Sequence, residues 1–139
     1  MSIIWQRTNV WLDVDSLTRQ ALIDRARQAS TEVDAVDAAQ LLSTGAIAVD
    51  VRETEEIAEG LLKDAVVIPR GFLELRIEGK VPNRNQPLVV YCASGVRSLL
   101  ATWTLRQMGY PKAVSLIGGF DGWKAAGRPW VVPQQLTSE

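Results

Sequence analysis

Leu88-Val89-Val90-Tyr91-Cys92-Ala93-Ser94-Gly95-Val96-Arg97-Ser98 decides the fold. Its first four residues are an unbroken apolar run, the pattern of a strand buried on both faces. A short loop follows, and then an apolar segment, Arg97 to Met108, that reads as a helix closed by Gly109. The only cysteine of the chain stands in the loop between strand and helix. A side chain placed there faces the unpaired N–H groups and the positive dipole end of the helix. Those surroundings favour the thiolate and make the sulfur a nucleophile.

The same alternation of short apolar runs and helical segments extends outward in both directions. Upstream, Val33 to Val36 reads as an edge strand and Asp37 as the cap of a helix through Leu42, stopped by Gly45. Ile47 to Val49 is a strand ending at Asp50, Glu55 to Glu59 a short helix, and Ala65 to Ile68 a strand closed by Pro69. Phe72 to Ile77 is a helical turn or two, and residues 81–87 form a proline-flanked loop. Downstream, Val114 to Ile117 is a strand, and Gly118-Gly119 turns into a helix ending near Gly127. In the helix after the cysteine, Ser98, Thr102 and Arg106 recur every four residues as one polar stripe, and the remainder is apolar, which predicts a largely buried helix. At the N-terminus, Asp15 is a candidate cap for a helix through Ala29 with Leu17, Ala21, Leu22 and Ala26 along one face. The pattern as a whole predicts an α/β fold, a parallel sheet flanked by helices with an N-terminal helical extension. In such sheets ligands bind beyond the carboxyl ends of the strands, where both Asp50-Val51-Arg52 and Cys92 fall.

Composition narrows the chemistry. A chain of 139 residues supplies one ordinary core. With 15 basic against 16 acidic residues there is no bulk positive charge for nucleic acid or for an anionic membrane surface. No apolar run reaches the roughly 20 residues of a membrane span. A lone cysteine makes no internal disulfide, and residues 1–11 lack the apolar core of a signal peptide, so a soluble cytoplasmic protein is expected. The chain has no histidine. That excludes a Cys-His dyad and a His-containing zinc site, and one cysteine is too few for a thiolate cage. No metal and no cofactor are expected. Activation of Cys92 must come from backbone dipoles and arginines.

Four residues separate Cys92 from Arg97. If the backbone curls around the sulfur, the N–H groups of Ala93, Ser94, Gly95, Val96 and Arg97 converge on one small anion. Gly95 supplies the freedom for a positive φ that such a curl needs. Arg97 adds a fixed charge and a donor fork, and Ser98 a hydroxyl aimed at the sulfur. Arg52 and Arg70, each at a strand end, are further candidates for binding an anionic donor. The plainer readings are that Arg52 braces the rim in an ion pair with Asp50, and that Arg70 is a solvated loop arginine. Trp123 and Trp103 are expected in the core, while Trp5 and Trp11 either pack the N-terminal helix or meet a partner chain.

Three stretches in order resemble one family. Tyr91 to Ser98 is similar to the active-site loop of single-domain rhodaneses, the thiosulfate sulfurtransferase family. Asp50-Val51-Arg52-Glu53, with Glu55-Glu56 and Glu59-Gly60, resembles the family's N-terminal signature, and Gly118-Gly119-Phe120-Asp121-Gly122-Trp123 with Ala126-Gly127 its C-terminal one. Ile68-Pro69-Arg70-Gly71 matches a further common segment. The resemblance spans residues 33–131, leaving 1–32 as the helical extension and 132–139 as a tail. It implies that Cys92 accepts a sulfane sulfur from an anionic donor such as thiosulfate and passes the persulfide sulfur to cyanide or a thiol. It leaves a persulfide-donating protein as another source of sulfur. Leu61-Leu62 departs from the family's usual His-Ile or His-Leu, and Lys63-Asp64 from its Pro-Gly. The competing readings are a Cys-dependent phosphatase or arsenate reductase, whose loops carry one more residue between Cys and Arg, and a non-catalytic sulfur-carrier or partner-binding module.

Overall fold

In the computed structural model, which describes residues 16–133, β1 (Glu32–Val33), β2 (Ile47–Asp50), β3 (Val66–Val67), β4 (Leu88–Tyr91) and β5 (Ala113–Leu116) form one sheet. Their order is β1-β5-β4-β2-β3 and every pairing is parallel. Asp50 lies level with Tyr91 across the β2–β4 pair, so both strands end on the same rim. The helices are α1 (Arg19–Ala29), α2 (Ala35–Ser43), α3 (Thr54–Ile57), α4 (Leu73–Lys80), α5 (Val96–Gln107) and α6 (Gly119–Ala125). A 3-10 turn over Arg70–Phe72 leads into α4.

All four residues of β4 are buried, because helices cover both faces of the sheet. Leu88, Val90 and Cys92 pack with Leu73 and Ile77 of α4 and Ala101 and Leu105 of α5. Val89 and Tyr91 point the other way, onto Ala38 of α2 and Phe120 and Trp123 of α6. This two-residue period sends Cys92 to the α4–α5 side.

Several expectations shift at the edges. Asp34, not Asp37, caps α2: its carboxylate accepts the Asp37 N–H at 2.8 Å. The cap begins right after Val33, which limits β1 to two residues. α3 starts at Thr54 because Glu53 and Glu56 form a capping box. The Asp15 cap lies outside the described residues; Thr18 caps α1, accepting the Ala21 N–H at 3.0 Å. The buried face of α1 is Ile23 and Ala26, while Leu17 and Leu22 stay exposed. The face is chosen by α5, whose Leu99, with partly buried Val96, Leu100 and Trp103, receives Ile23 and Ala26. Burying Ile23 contributes about 2 kcal/mol to holding α1 there. Because α1 covers that side of α5, the polar stripe turns inward. Ser98 and Thr102 are fully buried, and Arg106 donates to the Ala113 carbonyl at 3.0 Å. Trp103 is therefore only partly buried, whereas Trp123 is core. Trp5 and Trp11 lie outside the described residues.

Candidate active site

The site starts from the turn between β4 and α5. Gly95 sits at φ 111°, as the curl requires, and caps α5. The Gly95 N–H donates to Cys92 Sγ at 3.1 Å and the Ser98 N–H at 3.4 Å. Ser98 Oγ lies 3.5 Å from the sulfur and accepts from the thiol. Its own hydrogen is taken up elsewhere: the hydroxyl donates to the Gly95 carbonyl at 3.2 Å and stands 2.9 Å from Ser115 Oγ. In the thiol form the serine thus receives a hydrogen bond from the sulfur instead of giving one.

Cys92 is fully buried. Burial alone suits a small core residue. The polar contacts separate it from one, because two backbone donors converge on the sulfur and an apolar filler needs neither. Around it Ser94 is exposed, and Ala93, Val96 and Arg97 are partly exposed, so the loop itself reaches the surface.

The loop is held from behind by α6. The Phe120 N–H donates to the Cys92 carbonyl at 2.8 Å and the Asp121 N–H to the Ala93 carbonyl at 3.0 Å. This approach needs Gly119. A Cβ there would fall 2.5 Å from the Cys92 carbonyl oxygen and 2.6 Å from Ala93 C. Sequence reading takes Gly118-Gly119 as a turn into a helix; the structure makes Gly119 the contact surface for the cysteine loop.

Arg97 is not a free cation. Its two terminal nitrogens donate to the two carboxylate oxygens of Glu56, each at 2.8 Å. Glu56 also accepts the Glu53 N–H at 3.0 Å, which fixes it at the start of α3. The Arg97 hydrogen bonds hold the Glu56 carboxyl down at about 2, and Glu56 in turn raises Arg97. Sequence reasoning passed over Glu56 among the acidic residues 53, 55, 56 and 59. The available signal was its position three residues after Glu53, the capping-box spacing.

The other two arginines stand apart from the sulfur contacts. Arg52 is buried, with Nε 3.0 Å and Nη2 2.8 Å from the Asp50 carboxylate, and Nη2 also donates to the Gly60 carbonyl at 2.7 Å. Its guanidinium lies 4.4 Å from the centre of the Phe120 ring. Nearby, burial, with the Asp50 charge adding to it, pushes the Tyr91 hydroxyl upward. Arg70 donates to Glu74 at 3.0 Å and to Thr104 Oγ1 at 3.2 Å, linking the turn after β3 to α4 and α5. Among the described residues no cluster of three metal-ligating side chains occurs, and no helix is long and apolar enough to cross a membrane.

What the loop can do chemically follows from these contacts. Backbone donors converging on a sulfur stabilise its anion, and a persulfide terminus added to it remains in the same positive field.

Comparison with known proteins agrees with this arrangement. The rhodanese-like domain family model matches residues 34–126. A sulfurtransferase of Allochromatium vinosum is 34% identical over 105 residues, covering 74% of this chain and 96% of the relative. A thiosulfate sulfurtransferase, GlpE, of Haemophilus influenzae is 32% identical over 99 residues, covering 70% and 91%. Among solved structures, a Rhodopseudomonas palustris protein of unknown function, described as a possible tyrosine phosphatase, superposes with a TM-score of 0.72 at 31% identity, covering 84% of this chain and 97% of its own.

Proposed function

We propose that this chain, which belongs to the rhodanese-like domain family, transfers sulfane sulfur through a persulfide on Cys92. The observation that carries the reading is the pair of N–H donors, from Gly95 and Ser98, that converge on the Cys92 sulfur at the start of α5. The Cys92 thiolate attacks the outer sulfur of an anionic donor such as thiosulfate. A new S–S bond forms, the donor S–S bond breaks, and sulfite leaves with the electron pair. The outer persulfide sulfur is then attacked by cyanide or an acceptor thiolate, giving thiocyanate or a new persulfide and returning the Cys92 thiolate. A persulfide-donating protein fits the same first step.

Ala93, Ser94, Gly95, Val96, Arg97 and Ser98 form the anion site in this reading. Arg97 supplies charge while shared with Glu56. Arg52 belongs to the frame of the rim and Arg70 to its outer edge. The catalytic unit is taken as residues 33–131, with 1–32 as an extension and 132–139 as a tail, working in the cytoplasm.

The phosphatase reading has one supporting likeness, the Rhodopseudomonas palustris neighbour. Against it stands the loop, with four residues between Cys92 and Arg97. Its tight curl holds a single sulfur, whereas a tetrahedral phosphate needs a wider ring. The loop also contains no carboxylic acid to protonate a leaving alcohol, and the chain no histidine.

Intact mass after mixing with thiosulfate tests the proposal. A gain of one sulfur atom is expected on the wild-type chain and none on Cys92→Ser. Hydrolysis of p-nitrophenyl phosphate that depends on Cys92, with no sulfur accepted from thiosulfate or a thiol persulfide, would overturn it in favour of the phosphatase.

A further inference from the structure

A cavity lies toward the end of the sheet away from Cys92. It follows from how the chain leaves α6. Gly127 turns at φ 73°, and the next residues fold back as a strap. Trp123 Nε1 donates to the Pro129 carbonyl at 2.8 Å. Leu61 and Val131 exchange backbone hydrogen bonds at 2.8 and 2.9 Å. Trp130 lies so close over Gly60 that a Cβ there would stand 2.7 Å from its ring, and it meets Phe120 edge-on at 5.9 Å. The strap is thus fixed at three points, yet it does not close onto α2.

Between the strap, the last turn of α2 and the start of β2 remains a pocket of about 530 Å³, within the size range of small-molecule sites. Ala48, Leu62 and Trp123 make its floor, and Ala39, Leu42 and Trp130 its walls. Three charged side chains, Lys63, Asp64 and Arg128, also line it. Among the described residues the Lys63 ammonium and the Arg128 guanidinium make no ion pair and no side-chain hydrogen bond, unlike Arg27, Arg52, Arg70, Arg84 and Arg97.

We propose that this pocket binds an amphiphilic organic anion, a flat apolar body carrying one acid group. The apolar body replaces water against Trp123, Trp130 and Leu42. The acid group meets two unpaired cations and one carboxylate, a balance that attracts an anion and repels a cation. A neutral body of the same shape gains only the apolar contact. The pocket opens at the amino ends of the strands. Its lining includes Ala46 and Ile47 at the amino end of β2, whereas Cys92 follows the carboxyl end of β4, and no residue of the cysteine loop lines it, so it is separate from the sulfur chemistry.

The probe is 8-anilinonaphthalene-1-sulfonate, with neutral N-phenyl-1-naphthylamine as comparator, titrated by fluorescence into the full chain. Saturation at one sulfonate per chain is expected, with the neutral comparator weaker by about tenfold, the effect of roughly 1.4 kcal/mol of charge attraction. The double variant Lys63→Met/Arg128→Met should weaken the sulfonate by about the same factor and leave the comparator unchanged. Ala39→Phe, which fills the pocket, should abolish both. If Ala39→Phe loses its near-ultraviolet circular dichroism, the double charge variant decides, since neither of its side chains is in the core. The proposal is overturned if the sulfonate does not saturate at one site, if the neutral comparator binds as tightly, or if the double variant binds the sulfonate like wild type.

Discussion

Replacing Glu56 by Gln tests the one cation of the loop. The perturbation removes a charge and keeps the side-chain length and an acceptor for the Glu53 N–H. Lowering the Glu56 carboxyl from 4.5 to about 2 corresponds, if fully expressed, to about 3 kcal/mol. Solvent discounts that figure, because the Arg97 and Glu56 side chains are 39% and 32% exposed. A contribution of about 1 kcal/mol is the appropriate scale for such a bidentate pair, or about 3–5 °C in the melting temperature of a domain this size. The sign follows from the depressed value. The contribution is complete above pH 4.5 and is lost as pH falls through about 2. Melting curves of wild type and Glu56→Gln should therefore differ at pH 7 and converge toward pH 2. The same variant frees Arg97 for a doubly charged donor, so KM for thiosulfate should fall about threefold, an effect of under 1 kcal/mol expected for one screened charge. A melting difference that stays constant from pH 7 to pH 2 would refute the reasoning, since a protonated Glu56 and a glutamine hold Arg97 alike.

Arg97→Ala should lower kcat/KM for thiosulfate by roughly 10- to 100-fold, less than an unpaired arginine would, and Arg97→Lys should restore only part of it because the donor fork is lost; steady-state kinetics with an anionic and an uncharged donor check this, and unchanged kcat/KM in the alanine variant contradicts it. Gly119→Ala forces a Cβ against the Cys92 and Ala93 backbone and should slow sulfur loading by at least about tenfold while costing about 1–3 kcal/mol of stability; loading at the wild-type rate rules out the buttressing role of α6. Arg52→Leu leaves Asp50 buried without its partner and should cost about 3–5 kcal/mol in denaturant unfolding, with the folded fraction still accepting sulfur; a stable variant that has lost sulfur loading would return Arg52 to the donor site.

The sheet was readable because each central strand is a compact apolar run, and Leu88 to Tyr91 shows this without interruption. The curl at Cys92 was readable from Gly95 and from the four-residue spacing, both local properties of the chain. What escaped depends on residues far apart in sequence. Glu56 reaches Arg97 across 41 positions; its capping-box spacing from Glu53 marks it as a cap, but nothing local points to Arg97 as its partner. Gly119 looks like any turn glycine until the Cys92 carbonyl is placed beside it. Ser115 gave a faint mark, a lone hydroxyl in the buried strand Ala113–Leu116, and its partner Ser98 lies on the helix that covers it. The face of α1 was legible only in part for the same reason: Ala26 is buried as expected, but Leu17 and Leu22 are exposed, and only the surface of α5 selects Ile23 in their place.

The two hydrogen bonds from α6 to the cysteine loop engage only carbonyl oxygens, those of Cys92 and Ala93. Every described peptide bond is trans, and in a trans peptide the C=O of one residue and the N–H of the next point in opposite directions. Anchoring the Cys92 and Ala93 carbonyls on α6 therefore turns the N–H groups of Ala93 and Ser94 away from it. The scaffold grips the loop by its acceptors and leaves these two donors uncommitted. In the proposed reaction an arriving anion meets donors already oriented, with no bond to the scaffold that must break first. Rigidity and readiness, usually opposed in a loop, here come from opposite edges of the same peptide planes.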